Sequence, residues 1–245
     1  LPVQKTVRTT LGQMAEVEMS NPSVIVVGEV AAMDLDWFVS KPLYGRTIAV
    51  TRARNQASEL VQLLRVLGAA VIEVPTIAFV EPAEWTDVDC AIEELSFYDW
   101  LIFTSANGTD RFFERLFIQG RDIRALSGVK IATVGGATSA KVRDWHLNVD
   151  LEAQERVAEG LLKVLGDEAK DGRFLIPRPE KSRDVLAQGL RDLGGAVREV
   201  VVYKTIVPES LPEGFLDHLQ DQTIDLVTFT SSSTVTNFVV LLGKK

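Results

Sequence analysis

Two short stretches of this 245-residue chain carry polar groups where an α/β protein usually holds its ligand. They are Thr104-Ser105-Ala106-Asn107, after the apolar run "WLIF", and Thr230-Ser231-Ser232, after "LVTF". Neither contains an acid, a base or a metal ligand. Each is followed by a helix-like pattern, so the turn presents unpaired backbone N–H groups and the positive end of a helix dipole. Carboxylates and phosphates bind such turns without a dedicated arginine. Ser, Thr and Asn also favour this position as helix caps, so capping alone is the competing reading. Gly135-Gly136-Ala137-Thr138 is a third turn of the kind, readable as an anion site or as an ordinary tight turn. Arg52, Arg178 and Lys181 fall just past predicted strand ends, where they would pair with carboxylates of a ligand or lie solvated on the surface.

The remaining composition narrows the chemistry. His146 and His218 are the two histidines, both in polar, helix-like stretches, which disfavours hydrolase triads and histidine metal sites. Cys90 is the single cysteine, so disulfides within the chain and cysteine zinc sites are excluded; it is expected to be a small buried hydrophobe. A net charge of −8 argues against a nucleic-acid binder but leaves room for a local anion site. No apolar run reaches the ~18 residues of a membrane span and no signal peptide is visible, so a cytoplasmic protein is expected.

Positioning the two polar turns requires strands and helices, and these come twice. Asp99, Phe103, Thr104, Ser105 and Phe112 fall on Asp225, Phe229, Thr230, Ser231 and Phe238 at one offset, 225 − 99 = 126. Arg52, Leu60, Leu64, Leu67 and Gly68 fall on Arg178, Leu186, Leu190, Leu193 and Gly194 at the same offset, 194 − 68 = 126. Pro82 and Pro208 keep it too. Each copy predicts a short apolar strand, an amphipathic helix closed by glycine and a β-branched run ended by proline. A helix, the strand entering the Thr-Ser turn and a further helix complete it. Strands alternating with helices predict parallel sheets flanked by helices. A counterpart of Val129 would fall at 129 + 126 = 255, beyond Lys245, so the second copy is expected to be incomplete.

From about residue 43 onward the chain resembles the uroporphyrinogen-III synthases. The resemblance rests on "GRTIAVTRARNQASELVQLLRVLGAAVIEVPTI", "DWLIFTSANGTDRFF", "IATVGGATSAKV", "VAEGLL", "VVVYKT" and "LVTFTSSSTVTNF", in that order and spacing. "QKTVRTTLGQM" and "NPSVIVVGEVAAMDLDWFV" resemble the C-terminal end of uroporphyrinogen-III C-methyltransferases, without that family's glycine-rich loop. The resemblance implies a methyltransferase remnant over residues 1–42 and two similar α/β lobes joined by a two-stranded connector. One lobe would comprise residues 43–80 with 206–245, the other 84–203. Sequence does not decide between lobes that exchange halves and lobes that follow one another.

The substrate implied is hydroxymethylbilane, a linear polycarboxylate tetrapyrrole, closed to uroporphyrinogen III with loss of water and inversion of ring D. The family implies no cofactor, no metal, no nucleic acid, no membrane and a monomer, with a fused or neighbouring methyltransferase as partner. The cation formed by loss of water closes without help to the wrong isomer, so the protein's task is positioning. Tyr203 matches the family's tyrosine near the cleft, and its phenol would protonate the departing hydroxyl; an edge-strand aromatic is the plainer reading. Thr104, Ser105, Ala106, Asn107, Gly135, Gly136, Thr138, Thr230, Ser231 and Ser232, with Arg52, Arg178 and Lys181, would bind substrate carboxylates. A two-lobed binding module for an anionic small molecule remains the alternative.

Overall fold

A computed structural model describes all residues except 1–5, 34–36, 53, 154–157, 183 and 244–245, with the side chains of 54–58, 158–159 and 167 also outside the description. Val157 of the "VAEGLL" motif lies outside the described residues. In chain order the elements are β1 (Thr47–Val50), α1 (Arg54–Val66), β2 (Ala70–Glu73), β3 (Ala78–Val80), α2 (Thr86–Glu93), β4 (Trp100–Phe103) and α3 (Ala106–Ile118). There follow β5 (Lys130–Val134), α4 (Gly136–Asp144), β6 (Leu151–Ala153), α5 (Ala158–Leu165), β7 (Arg173–Pro179) and α6 (Val185–Asp192). The chain ends with β8 (Ala196–Ile206), α7 (Phe215–Gln220), β9 (Leu226–Thr228) and α8 (Ser232–Gly243).

These elements form two compact units, one of residues 1–78 and 207–245, the other of residues 79–206. The first holds a parallel sheet ordered β2-β1-β9, the second a sheet ordered β3-β8-β7-β4-β5-β6. Every strand pair from β8 through β6 is parallel. The chain passes between units within β3 and just after β8, which are neighbours in the second sheet.

The two copies of the repeat exchange partners. β4 of the first copy pairs with β7 of the second, Trp100 opposite Phe174. β9 of the second pairs with β1 of the first, Leu226 opposite Ile48, and both positions move by 126 (100 to 226, 48 to 174). The register is locked in the same way on each side. The Asp99 carboxylate accepts the backbone N–H of Arg173 at 2.9 Å, and the Asp225 carboxylate accepts that of Thr47 at 2.7 Å. The backbone N–H of each aspartate returns a bond to the same residue's carbonyl at 2.9 Å.

Local sequence explains the elements. Gly68 and Gly194 both have φ of +95°, the left-handed conformation that closes a helix before a strand; on Gly68 a Cβ would also lie 2.8 Å from Lys41 Cβ. The β-branched run of the second copy is one long strand, β8, whereas in the first copy it is split into β2 and β3 around Pro75. Val201 stands where the repeat places Pro75 (75 + 126), and proline lacks the N–H a continuous ladder needs. Strand β7 is buried over Phe174–Pro177, as a parallel strand covered on both faces must be. In α3 the side chains of Phe112, Phe113 and Leu116 pack with Phe103 in the core of the second unit, all fully buried. Cys90, expected to be buried, is exposed on α2: the inward face of that helix is taken by Val88, Ala91 and Ile92. Residues 6–33 contribute only two short 3-10 turns, neither with a buried residue, and Val24–Val27 are exposed.

Candidate functional site

In the second unit the sequence-predicted residues converge at the C-terminal edge of the sheet, where ligands of parallel α/β sheets bind. Strand β4 ends at Phe103, and Ser105 leaves it in extended backbone (φ −154°, ψ 146°) to cap α3. The Ser105 Oγ accepts the Gly108 N–H at 3.1 Å, and the Thr109 hydroxyl donates to the Ser105 carbonyl at 3.1 Å. Thr104, Ala106 and Asn107 are half-buried around this cap. The cap takes the Gly108 N–H, and an anion at this helix start would meet the positive end of the α3 dipole.

Tyr203 arrives at the same turn from β8. It is 5% exposed, its ring set edge-on to Phe79 with centroids 5.5 Å apart, and its hydroxyl lies 3.3 Å from Ser105 Oγ. β8 lies between β3 and β7, so the ring belongs to the core rather than to a sheet edge, correcting the plainer reading. Burial pushes the phenol above the ordinary tyrosine range, and the Ser105 hydrogen bond draws it back part of the way. A neutral, proton-carrying phenol is thereby maintained through the physiological range.

The other predicted residues divide. Lys181 is exposed beyond β7, and Arg52 is exposed beyond β1 in the first unit. Arg178 is engaged by its own unit: it bonds Asp184 at 2.8 Å and contacts Glu199, with its side chain 17% exposed. Its charge is already matched, and it ties the end of β7 to β8. Gly135 (φ +84°) caps α4, and the buried Thr138 hydroxyl donates to the Val134 carbonyl at 3.1 Å. A Cβ on Gly136 would lie 3.5 Å from Glu152 Oε1, so a carboxylate of the same unit already stands near this helix start.

In the first unit Thr230, Ser231 and Ser232 are exposed at the start of α8. Ser231 Oγ accepts the Thr234 N–H at 3.3 Å, repeating the Ser105–Gly108 cap 126 residues on. Beneath it Thr51 donates to the Thr228 carbonyl at 2.6 Å, Thr76 to the Thr51 carbonyl, and Asn237 to the Thr76 carbonyl. Sequence reasoning overlooked this support, and also Gly108. The available signal was departure from the repeat: Gly108 falls on Thr234, and Tyr203 on Ile77 (203 − 126).

These features define a duplicated α/β protein with exchanged strands, serine-capped helix starts and one buried phenol. A family model described as uroporphyrinogen-III synthase HemD matches residues 58–245. The uroporphyrinogen-III synthase of Synechococcus elongatus is 36% identical over 204 residues, covering 83% of this chain and 77% of the relative. A porphyrin biosynthesis protein HemD of Ruminiclostridium josui is 30% identical over 248 residues, covering 97% of this chain; the chain spans 49% of that relative's length. A uroporphyrinogen-III C-methyltransferase of Bacillus subtilis is 30% identical over 134 residues, 51% of this chain and 26% of its own. Among solved structures, a mutant uroporphyrinogen III synthase of Thermus thermophilus shares the fold with a TM-score of 0.54 at 17% identity, covering 81% of this chain and 77% of that one. The chain belongs to the uroporphyrinogen-III synthase family, which are cyclising lyases of tetrapyrrole biosynthesis. No helix among the described residues is long and apolar enough to cross a membrane.

Proposed function

We propose that this chain closes hydroxymethylbilane to uroporphyrinogen III, with the turn at Thr104–Asn107 and that at Thr230–Ser232 each taking substrate carboxylates on backbone N–H groups. The observation that carries the reading is the buried Tyr203 phenol beside the first of these turns. A carboxylate bound at the α3 N-terminus brings the substrate to a neutral proton donor without demanding a charged acid. Tyr203 gives its proton to the terminal hydroxyl oxygen, the C–O bond breaks with its electron pair on oxygen, and water leaves. The resulting cation is attacked by the substituted carbon of ring D, and the ring inverts through a spiro intermediate. The proton released when the new ring regains aromaticity restores the phenol. Arg52 and Lys181, exposed beyond strand ends, add positive charge for the remaining carboxylates. Arg178 stays with Glu199 and Asp184 and holds the β7 end in place.

Residues 43–80 with 206–245 and residues 84–203 are inferred to act as the two lobes, and residues 1–42 as a methyltransferase remnant. The length of the Ruminiclostridium josui relative and the Bacillus subtilis methyltransferase similarity support a fused or neighbouring methyltransferase; transfer of the product to it, in the cytoplasm, is part of the same proposal. Supplying hydroxymethylbilane and separating the products by isomer tests the activity. Uroporphyrinogen III in excess over spontaneous isomer I is expected; isomer I alone, at the uncatalysed rate, overturns it.

A further inference from the structure

We infer that Ser105 is a positioning residue for the Tyr203 proton: its hydroxyl donates to the phenol oxygen, so that the phenol O–H points to substrate and the phenolate left after transfer is held by a donor. This rests on the acid role proposed for Tyr203. Ser105 Oγ sits between two groups, 3.1 Å from the Gly108 nitrogen and 3.3 Å from the Tyr203 oxygen. The Gly108 N–H can only donate, so one lone pair of Oγ is filled. The serine proton is then best spent on the phenol oxygen, giving a head-to-tail chain N–H to Oγ–H to phenol oxygen in which each bond polarises the next. Behind that chain stands the N-terminus of α3, which favours negative charge developing on the phenol.

Gly108 supplies a second, independent observation. A glycine inside a helix is unfavourable by about 1 kcal/mol relative to alanine, so one at this position needs a reason. A Cβ there would meet Ser105 Oγ at 3.0 Å, the Pro177 carbonyl at 3.5 Å and the Tyr203 ring at 3.8 Å. The missing side chain leaves room for the serine–tyrosine contact. The repeat provides an internal control. The equivalent turn keeps the serine cap at Ser231, but Thr234 replaces the glycine (108 + 126) and Ile77 replaces the tyrosine. There the serine oxygen meets the Ser233 hydroxyl at 2.9 Å instead. Glycine, serine and phenol occur together in one unit, and at the equivalent place in the other unit the serine is kept while the glycine and phenol are both absent, as a linked device would be.

The test compares Ser105→Ala, Ser105→Thr and Tyr203→Phe, alone and with Ser105→Ala combined with Tyr203→Phe, in the full chain. Ser105→Ala is expected to lower kcat about tenfold with KM little changed, the size of a lost hydrogen bond to a developing charge. It should also move the phenolate absorbance titration, isolated as the difference from Tyr203→Phe, to higher pH. Ser105→Thr, which keeps the hydroxyl and the cap, should recover most of both. In the Tyr203→Phe background Ser105→Ala should cost little more. If it costs the same tenfold there, or if the titration stays in place, Ser105 is only a helix cap and the inference fails while the acid role stands. If Tyr203→Phe turns over at the wild-type rate, the acid role fails and this inference with it.

Discussion

At the scale of single residues, the site contains little that is reactive and much that is placed. A serine, a glycine and a tyrosine lie so close that a Cβ on Gly108 would press on Ser105 Oγ at 3.0 Å, and what results is a phenol with a defined hydrogen-bond partner. Gly108→Ala separates placement from stability. The backbone at Gly108 is not in the left-handed region, so alanine fits the helix and should raise its stability by up to about 1 kcal/mol. The added methyl displaces Ser105 Oγ, and kcat should fall several-fold while the melting temperature holds or rises. Wild-type kcat with unchanged product isomer would show that the position of the serine hydroxyl is immaterial. The Thr-Ser turns were legible in the sequence because a strand–cap–helix junction is a local pattern. The Ser105–Tyr203 contact was not, because it joins residues 98 apart and nothing local marks it. Only the breaks in the repeat at Gly108 and Tyr203 carried a trace of it.

At the scale of elements, the repeat offset and the glycine caps follow from apolar period and backbone sterics, so both could be read from the chain. Partner choice between strands is not local, and the exchange of β4 and β9 between copies emerges only from the fold. Its chemical signature is the pair of aspartates that precede those strands. Arg173, through side-chain hydrogen bonds first and then its backbone N–H and charge, holds Asp99 below the usual carboxylate range against an opposing effect of burial. A folded-state pKa below the unfolded value near 3.9 gives stability that is present above about pH 4 and is lost as pH falls through the folded value. The Asp99 and Arg173 side chains are 45% and 49% exposed, so solvent screening limits the ion pair to about 1 kcal/mol or less. Asp99→Ala should therefore melt a few degrees below wild type at pH 7, and the gap should narrow on acidification below about pH 4. A gap constant from pH 7 to pH 2 would show that the carboxylate's charge has no part in holding the register.

At the scale of the whole molecule, equivalent positions of the repeat meet different surroundings. In the second unit β4 is flanked by β7 and β5, Trp100 is 5% exposed and Phe113 is fully buried. Among the described residues of the first unit β9 pairs only with β1, and the equivalents of those residues, Leu226 and Val239, are 54% and 61% exposed. Burial of apolar area is the main stabilising contribution, at roughly 25 cal/mol per Å². Among the described residues, Trp100 and Phe113 therefore contribute more burial to β4 and α3 than Leu226 and Val239 contribute to β9 and α8. Backbone amides exchange with solvent through such openings, at a rate set by the free energy of the opening. Hydrogen–deuterium exchange followed by mass spectrometry should find β9 and α8 labelled well before β4 and α3, although the two pairs are copies of one sequence pattern. Equal protection in both pairs would mean that the apolar positions exposed on β9 and α8 are covered in solution, and that the stability of the two units is set by something other than their separate cores.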